Sequence, residues 1–255
     1  VPHEKGSVDA VRDAEDLDVD LALNDLVVIE KRMERLDKDR KKLKDPKLDQ
    51  EYLLLERFQK ALEENTPLRN LEITAEEEKL VRGFNFLSLK PMLYVLNVGE
   101  EDAARMHEVE AEYRATALGN RPRTAITAVC GKVEAELAEL GAEEAKELMG
   151  SYGLADSGIE RLISATYSLL GLMSFLTAGD TEVRAWTIPM NSKAPQAAGA
   201  IHTDMEKKFI KAEVVNWKTL VELNGYPGVR EKGLLRLEGK EYIVKDGDVL
   251  VIRHS

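Results

Sequence analysis

From Val19 onward, apolar or small residues recur at Val19, Ala22, Leu26, Ile29, Met33, Leu36 and Leu43, with Arg40 interrupting. This alternating three-and-four spacing predicts a long amphipathic helix. Lys44-Asp45-Pro46-Lys47 breaks the pattern, and Leu48, Tyr52, Leu55, Phe58 and Leu62 place a second apolar stripe on a returning helix, giving an antiparallel helical hairpin. Its outer faces are dense in Glu, Lys, Arg and Asp, which reads as a solvated coiled-coil surface, so no chemistry is assigned there. Past Asn65-Thr66-Pro67, Thr74-Ala75-Glu76-Glu77 has the form of a capping box and predicts a short helix to about Leu87.

Met92-Leu93-Tyr94-Val95-Leu96 is an apolar run too short for a helix and bounded by Lys90-Pro91, which predicts a strand buried on both faces, a mark of parallel sheets. A helical stretch over 101–117 then leads to Thr124–Cys130, a second strand rich in β-branched residues. Strand, helix, strand at this length predicts a crossover unit. Helices are expected near Glu134–Met149 and Gly158–Leu170. The pattern changes at Gly179-Asp180: strands are expected at 182–188 and 210–215 around a helix near 196–207, and a hairpin should join 241–244 to 249–253. That describes a small α+β domain.

The 255 residues are 44% apolar and 33% charged, a globular composition. No apolar run approaches the roughly eighteen residues of a membrane span, and Val1–Asp20 is acidic and polar where a signal peptide would be basic and then apolar. No membrane partner is expected, and the protein reads as cytoplasmic. The single Cys130 fits a reducing compartment. A net charge of -11 argues against nonspecific nucleic-acid binding by the chain as a whole, and no DNA partner is expected. Residues 182–255 differ, with 12 Lys/Arg against 10 Asp/Glu. An RNA-facing surface is therefore sought there, and Lys207, Lys208 and Lys211 are its densest basic cluster. If the helix continues, Lys207 and Lys211 share a face; the alternative is a solvated basic face with no partner.

Ligands of open α/β sheets sit beyond the carboxyl ends of the parallel strands, which singles out Asn97-Val98-Gly99-Glu100 and Cys130-Gly131-Lys132. An Asn followed three positions later by a carboxylate resembles the Asn-Lys-x-Asp element of GTP-binding proteins, whose carboxylate accepts guanine N1–H and the exocyclic amine. Here Val98 replaces the Lys and the longer Glu100 replaces the Asp, which displaces the acceptor and alters base choice. On spacing alone the alternative is a helix-capping Asn with an exposed Glu.

The stretch Phe86–Glu100, together with Gly6-Ser7-Val8-Asp9, Val129–Glu134, Val183-Arg184-Ala185-Trp186-Thr187-Ile188-Pro189, Ala194–Asp204 and Tyr242–Val249, resembles the YchF/Obg-like ATPase family over nearly the whole chain. The resemblance implies an ATP-preferring P-loop NTPase that hydrolyses ATP, binds GTP more weakly and associates with ribosomes in a translation- or stress-linked role. The fold it implies is α/β: the remainder of a P-loop NTPase parallel sheet (1–18 and 88–180), an inserted antiparallel helical arm (19–87), and a C-terminal α+β β-grasp (TGS) domain (181–255). Asn97, Val98 and Glu100 match the family's base-contacting element. Cys130, Gly131 and Lys132 match its second base-side loop, where backbone N–H groups matter more than side chains and Cys130 is a small buried residue. His3 falls where the family carries a loop histidine implicated in hydrolysis; the alternative is a terminal histidine without function. His202 reads as structural or RNA-facing.

No Gly-x-x-x-x-Gly-Lys-Ser/Thr sequence occurs in these residues. The chain begins Val1-Pro2-His3, without methionine, and is read as a piece of a longer protein whose preceding part holds the phosphates and Mg²⁺. By itself it is not expected to hydrolyse ATP. Two other readings remain: a nucleotide-switched ribosome- or RNA-binding module with little catalytic output, and a purely structural coiled-coil adaptor.

Overall fold

The computed structural model describes residues 5–179 and 181–255. The chain divides into two compact units, one ending at Leu169 and the other beginning at Leu170.

In the first unit, helix α1 runs Ala10–Lys42. It starts earlier than the apolar stripe suggested because Asp9 caps it, accepting from the Val11 and Arg12 N–H groups at 3.2 Å each. Helix α2, Pro46–Glu63, begins with Pro in its first turn after an Asp45 cap. The contacts Arg32–Glu51, bidentate at 2.6 and 2.8 Å, and Arg40–Asp49 at 2.6 Å pair late α1 with early α2. Ile29 and Leu36 pack with Leu54, Leu55, Phe58 and Leu62, and the cluster extends to Leu68, Val81 and Phe86. Helix α3, Ala75–Val81, carries the expected capping box but stops short of Leu87, running into a 3₁₀ turn over Arg82–Phe84 and left-handed Asn85.

The buried stripe of α1 differs from the one read in the sequence. Val19 and Leu43 are 41% and 60% exposed, whereas Asp18 and Asp25 are 7% and 2% exposed. Both carboxylates are saturated with donors, as burial requires. Asp25 accepts the Leu87 N–H at 2.9 Å, the Ser88 N–H at 2.8 Å and the Ser88 hydroxyl at 2.6 Å. Asp18 accepts from the fully buried Arg69, from Arg121 Nη1 at 2.6 Å and from the Tyr94 hydroxyl at 3.3 Å.

Strands β1, Met92–Asn97, and β2, Thr124–Val129, pair in parallel from Met92↔Thr124 to Asn97↔Val129. Between them lie a 3₁₀ segment, Glu100–Arg105, and helix α4, Met106–Arg114. Strand β1 is not buried on both faces as expected: among the described residues only β2 pairs with it, and Val95 is 43% exposed. Three helices follow, α5 Gly131–Glu139, α6 Ala142–Ser151 and α7 Gly158–Leu169. The expected single helix over 134–149 splits at Leu140-Gly141, where Glu144 caps the Gly141 N–H. Glu110 of α4 reaches behind β2, accepting from the Thr127 hydroxyl, the Ala128 N–H and Arg161 of α7.

The second unit holds a sheet of order β4-β3-β7-β5-β6, with β3 Leu172–Ala178, β4 Val183–Pro189, β5 Phe209–Asn216, β6 Arg236–Glu238 and β7 Asp248–His254. The β3–β7 pairing is parallel and the others are antiparallel. The unit starts ahead of the boundary expected at 181 because β3, which has no clean alternation, pairs along its whole length with β4. Helices α8, Ala194–Ile201, and α9, Thr203–Lys207, precede β5. Ala194, Ala197 and Ala198 pack with Phe175, Val214 and Leu250. Helices α10, Trp217–Glu222, and α11, Tyr226–Glu231, contribute to a second cluster containing Val215, Val229 and Val249. The expected hairpin of 241–244 with 249–253 is not formed. Strand β7 has both edges taken by β3 and β5, and Ile243 bridges Lys193 instead.

Replacing Asp18 with Ala leaves Arg69 and Arg121 without their buried counter-charge, and should destabilise the first unit by about 3–5 kcal/mol. Tyr94→Phe, which removes one neutral donor, should cost about 1 kcal/mol. Both tryptophans, Trp186 and Trp217, lie in the second unit. Urea unfolding should therefore be followed by far-ultraviolet circular dichroism, and equal losses for the two variants would refute the charge-compensation account.

Candidate functional site

The carboxyl ends of β1 and β2 lie side by side because the parallel register pairs Asn97 with Val129. The backbone continues the pairing one step further, with the Val98 N–H donating to the Val129 carbonyl at 2.9 Å. Asn97 Oδ1 accepts the Gly131 N–H at 3.0 Å, and so fixes the first turn of α5 to the end of β1. A Cβ at Gly131 would stand 3.1 Å from Asn97 Oδ1, tighter than most side chains tolerate, which explains a glycine there.

Glu100, three residues beyond Asn97, meets Lys132 from the other loop: Lys132 Nζ donates to Oε2 at 2.5 Å. The Tyr152 hydroxyl, from the residue after α6, donates to Oε1 at 3.2 Å. These contacts hold the Glu100 carboxyl below its ordinary range, Lys132 contributing most and Tyr152 adding to it. Reciprocally, the Lys132 ammonium and the Tyr152 hydroxyl are both pushed up by their hydrogen bonds to Glu100.

The structure thus brings together Asn97, Val98, Glu100, Gly131 and Lys132. Cys130 is 1% exposed and packs with Ala103, Met106, Ala128 and Val133, so its thiol faces the core as expected of a small buried residue. Tyr152 was not legible in the sequence, since it lies 52 positions from Glu100 in no recognisable spacing. A cavity of about 590 Å³ touches Asn97, Val98 and Gly99 but not Glu100, Gly131 or Lys132, so it does not gather the motif. His3 lies outside the described residues.

The three lysines do not share a helical face. Lys207 ends α9, Lys208 follows it, and Lys211 stands in β5 opposite Arg253. The helix stops because Phe209 enters the sheet core, and all three lysines are exposed. His202 joins α8 to α9, its Nδ1 accepting the Asp204 N–H at 3.2 Å, a capping role.

Because the folded-state acidity of Glu100 is raised, its pairing is complete above the ordinary glutamate value of about 4.3 and is lost as pH falls through the lowered folded value. A carbon-13 NMR titration should place the Glu100 midpoint below that ordinary value, and Lys132→Met should move it upward. A midpoint unaffected by Lys132→Met would remove the pairing.

The profile YchF-GTPase_C, described as "Protein of unknown function (DUF933)", matches residues 172–255. The "Ribosome-binding ATPase YchF" of Bacillus subtilis (strain 168) is 42% identical over 257 residues, covering 100% of this chain and 69% of that protein. The protein of the same name in Escherichia coli O157:H7 is 40% identical, over 97% of this chain and 67% of its own length. "Obg-like ATPase 1" of Caenorhabditis elegans is 34% identical, over 100% and 65% respectively. The solved Schizosaccharomyces pombe YchF GTPase superposes with a TM-score of 0.75 at 27% identity, covering 98% of this chain and 68% of that one. The chain therefore belongs to the YchF family of Obg-like ATPases.

Proposed function

We propose that the full-length protein is a P-loop NTPase that binds and hydrolyses ATP in preference to GTP and associates with ribosomes, with the base read at the paired ends of β1 and β2. The observation that carries this reading is the Asn97–Gly131 hydrogen bond beside the Glu100–Lys132 pair, which converges two separate loops on one point at the carboxyl end of a parallel pair. With Oδ1 committed to Gly131, the Asn97 amide keeps its NH₂ to donate to a purine ring nitrogen. Every purine offers that nitrogen, so discrimination falls to Glu100. The names of the Bacillus subtilis and Escherichia coli relatives support ATP turnover and ribosome binding.

In this reading α1 and α2 form an arm inserted in the nucleotide domain, and the second unit is the TGS module. Mg²⁺ accompanies the nucleotide phosphates. Among the described residues no group of three or more His, Cys, Asp or Glu side chains converges to hold a metal, so none is assigned as its ligand. His3 is proposed to assist hydrolysis on the strength of the resemblance alone.

In the full-length protein Glu100→Asp should shift preference toward GTP, because the shorter carboxylate returns the acceptor to where the guanine donors lie. One hydrogen bond to a charged group is worth roughly 1.5–3 kcal/mol, so the ATP/GTP affinity ratio should move about tenfold or more. An unchanged ratio in nucleotide titrations removes Glu100 from base recognition.

Lys207, Lys208 and Lys211 are proposed to contact ribosomal RNA from the second unit. Their exposure and local excess of positive charge support this, whether or not they lie on one helix. Replacing all three with Glu should lower ribosome co-sedimentation and flatten its dependence on salt while nucleotide binding persists. Unchanged pelleting and salt slope would exclude this face.

A further inference from the structure

Both oxygens of the Glu100 carboxylate are engaged inside the protein, Oε2 by Lys132 at 2.5 Å and Oε1 by the Tyr152 hydroxyl at 3.2 Å. The two donors differ in kind. Lys132 sits on a flexible stem with 65% of its side chain exposed, so its ion pair with Glu100 holds charge more than direction. Tyr152 carries its hydroxyl on a rigid ring packed against the cluster of Ala103, Met106, Cys130 and Val133, so it sets direction. A lysine alone would let the carboxylate swing. The pair fixes it.

We propose that Tyr152 and Lys132 are specificity-determining positioning residues, which clasp Glu100 in a pose that denies guanine a two-oxygen acceptor and thereby favour ATP. This rests on the base-site reading given above. Guanine presents two adjacent donors, N1–H and the exocyclic amine, and their best partner is a carboxylate offering both oxygens side by side. Each oxygen keeps a further lone pair, but the two internal hydrogen bonds fix which way the remaining lone pairs point, so guanine can set both donors on them only by turning the carboxylate and straining the clasp. Adenine has an acceptor at N1 and a single amine, so it asks for at most one contact and loses less. Glu100, held below its ordinary range by Lys132 and Tyr152, is ionised at neutral pH, where the clasp is complete. Because the clasp is partly exposed, its effect on the ratio is several-fold rather than many orders of magnitude.

The test uses the full-length protein and fluorescent ATP and GTP analogues. Dissociation constants are measured for the parent, Tyr152→Phe, Lys132→Met, the double variant and Asn97→Ala, each checked for folding by its thermal melt. The ATP/GTP affinity ratio should fall toward GTP by about three- to tenfold in the double variant, with the single variants between it and the parent. Asn97→Ala should weaken both nucleotides together. A ratio unchanged in all three clasp variants, with Asn97→Ala still weakening both nucleotides, would overturn the clasp and leave the base site standing. If Asn97→Ala changes neither affinity, the base site falls and the clasp with it. Should Tyr152→Phe fail to fold, Lys132→Met decides the matter by itself, since its exposed side chain is not part of the core.

Discussion

A carboxylate taken out of water must be met by donors or the fold will not form around it, and in the first unit that carboxylate is Asp18. Its partners come from three places distant in sequence: Arg69 after α2, Arg121 ahead of β2, and Tyr94 within β1. Asp25, two helical turns further along the same face of α1, holds the backbone of Leu87 and Ser88 just before β1 begins. One face of one helix therefore sets both where β1 starts and how the β1–β2 pair lies against α1. Asn97 is three residues past Tyr94, so the loops at the carboxyl ends of β1 and β2 inherit their position from this buried charge.

The same use of carboxylates recurs around the pair of strands. Glu110 accepts from the end of β2 and from Arg161. Burial alone would push its carboxyl up, but the Ala128 N–H, Arg161 and the Thr127 hydroxyl more than offset that and hold it below its ordinary range. Glu134 caps α7 through the Gly158 N–H at 2.6 Å. The excess of acid in this chain is thus partly internal, spent on tying helices to strands. Net charge describes the surface poorly when several carboxylates are hydrogen-bond acceptors in the interior.

That explains which parts of the fold were legible in the sequence. Signals carried within a few residues read correctly: the Thr74 capping box, the break between the two long helices at Lys44-Asp45-Pro46-Lys47, and the two strands with the motif at their ends. Signals needing a distant partner did not. The stripe of α1 was traced through Val19 and on to Leu43 because hydrophobicity marks burial only when the buried residue is apolar; here Asp18 and Asp25 lie on the buried face, and Leu43 falls just past the end of the helix. The hairpin expected at 245–248 failed because the turn signal, though real, says nothing about which edges of β7 other strands claim. Within the candidate site, Asn97, Glu100 and Lys132 followed from position and resemblance, whereas Tyr152 reaches Glu100 only through the packing of α6.

The contacts of Asp18 are unequal, and the inequality bears on how α1 and β1 are joined. Two guanidinium groups neutralise the charge, while Tyr94 contributes one longer, neutral hydrogen bond. Burial, with Asp18 adding to it, raises the Tyr94 hydroxyl above its ordinary range, so it is a protonated donor at neutral pH. The electrostatic requirement is therefore met without β1, and the hydroxyl supplies alignment on top of it. Losing the Tyr94 contact removes one weak bond, whereas separating α1 from Arg69 and Arg121 would strand three charges. The charged part of this joint therefore runs from α1 to Arg69 and Arg121, and the Tyr94 hydroxyl aligns the strand that carries Asn97.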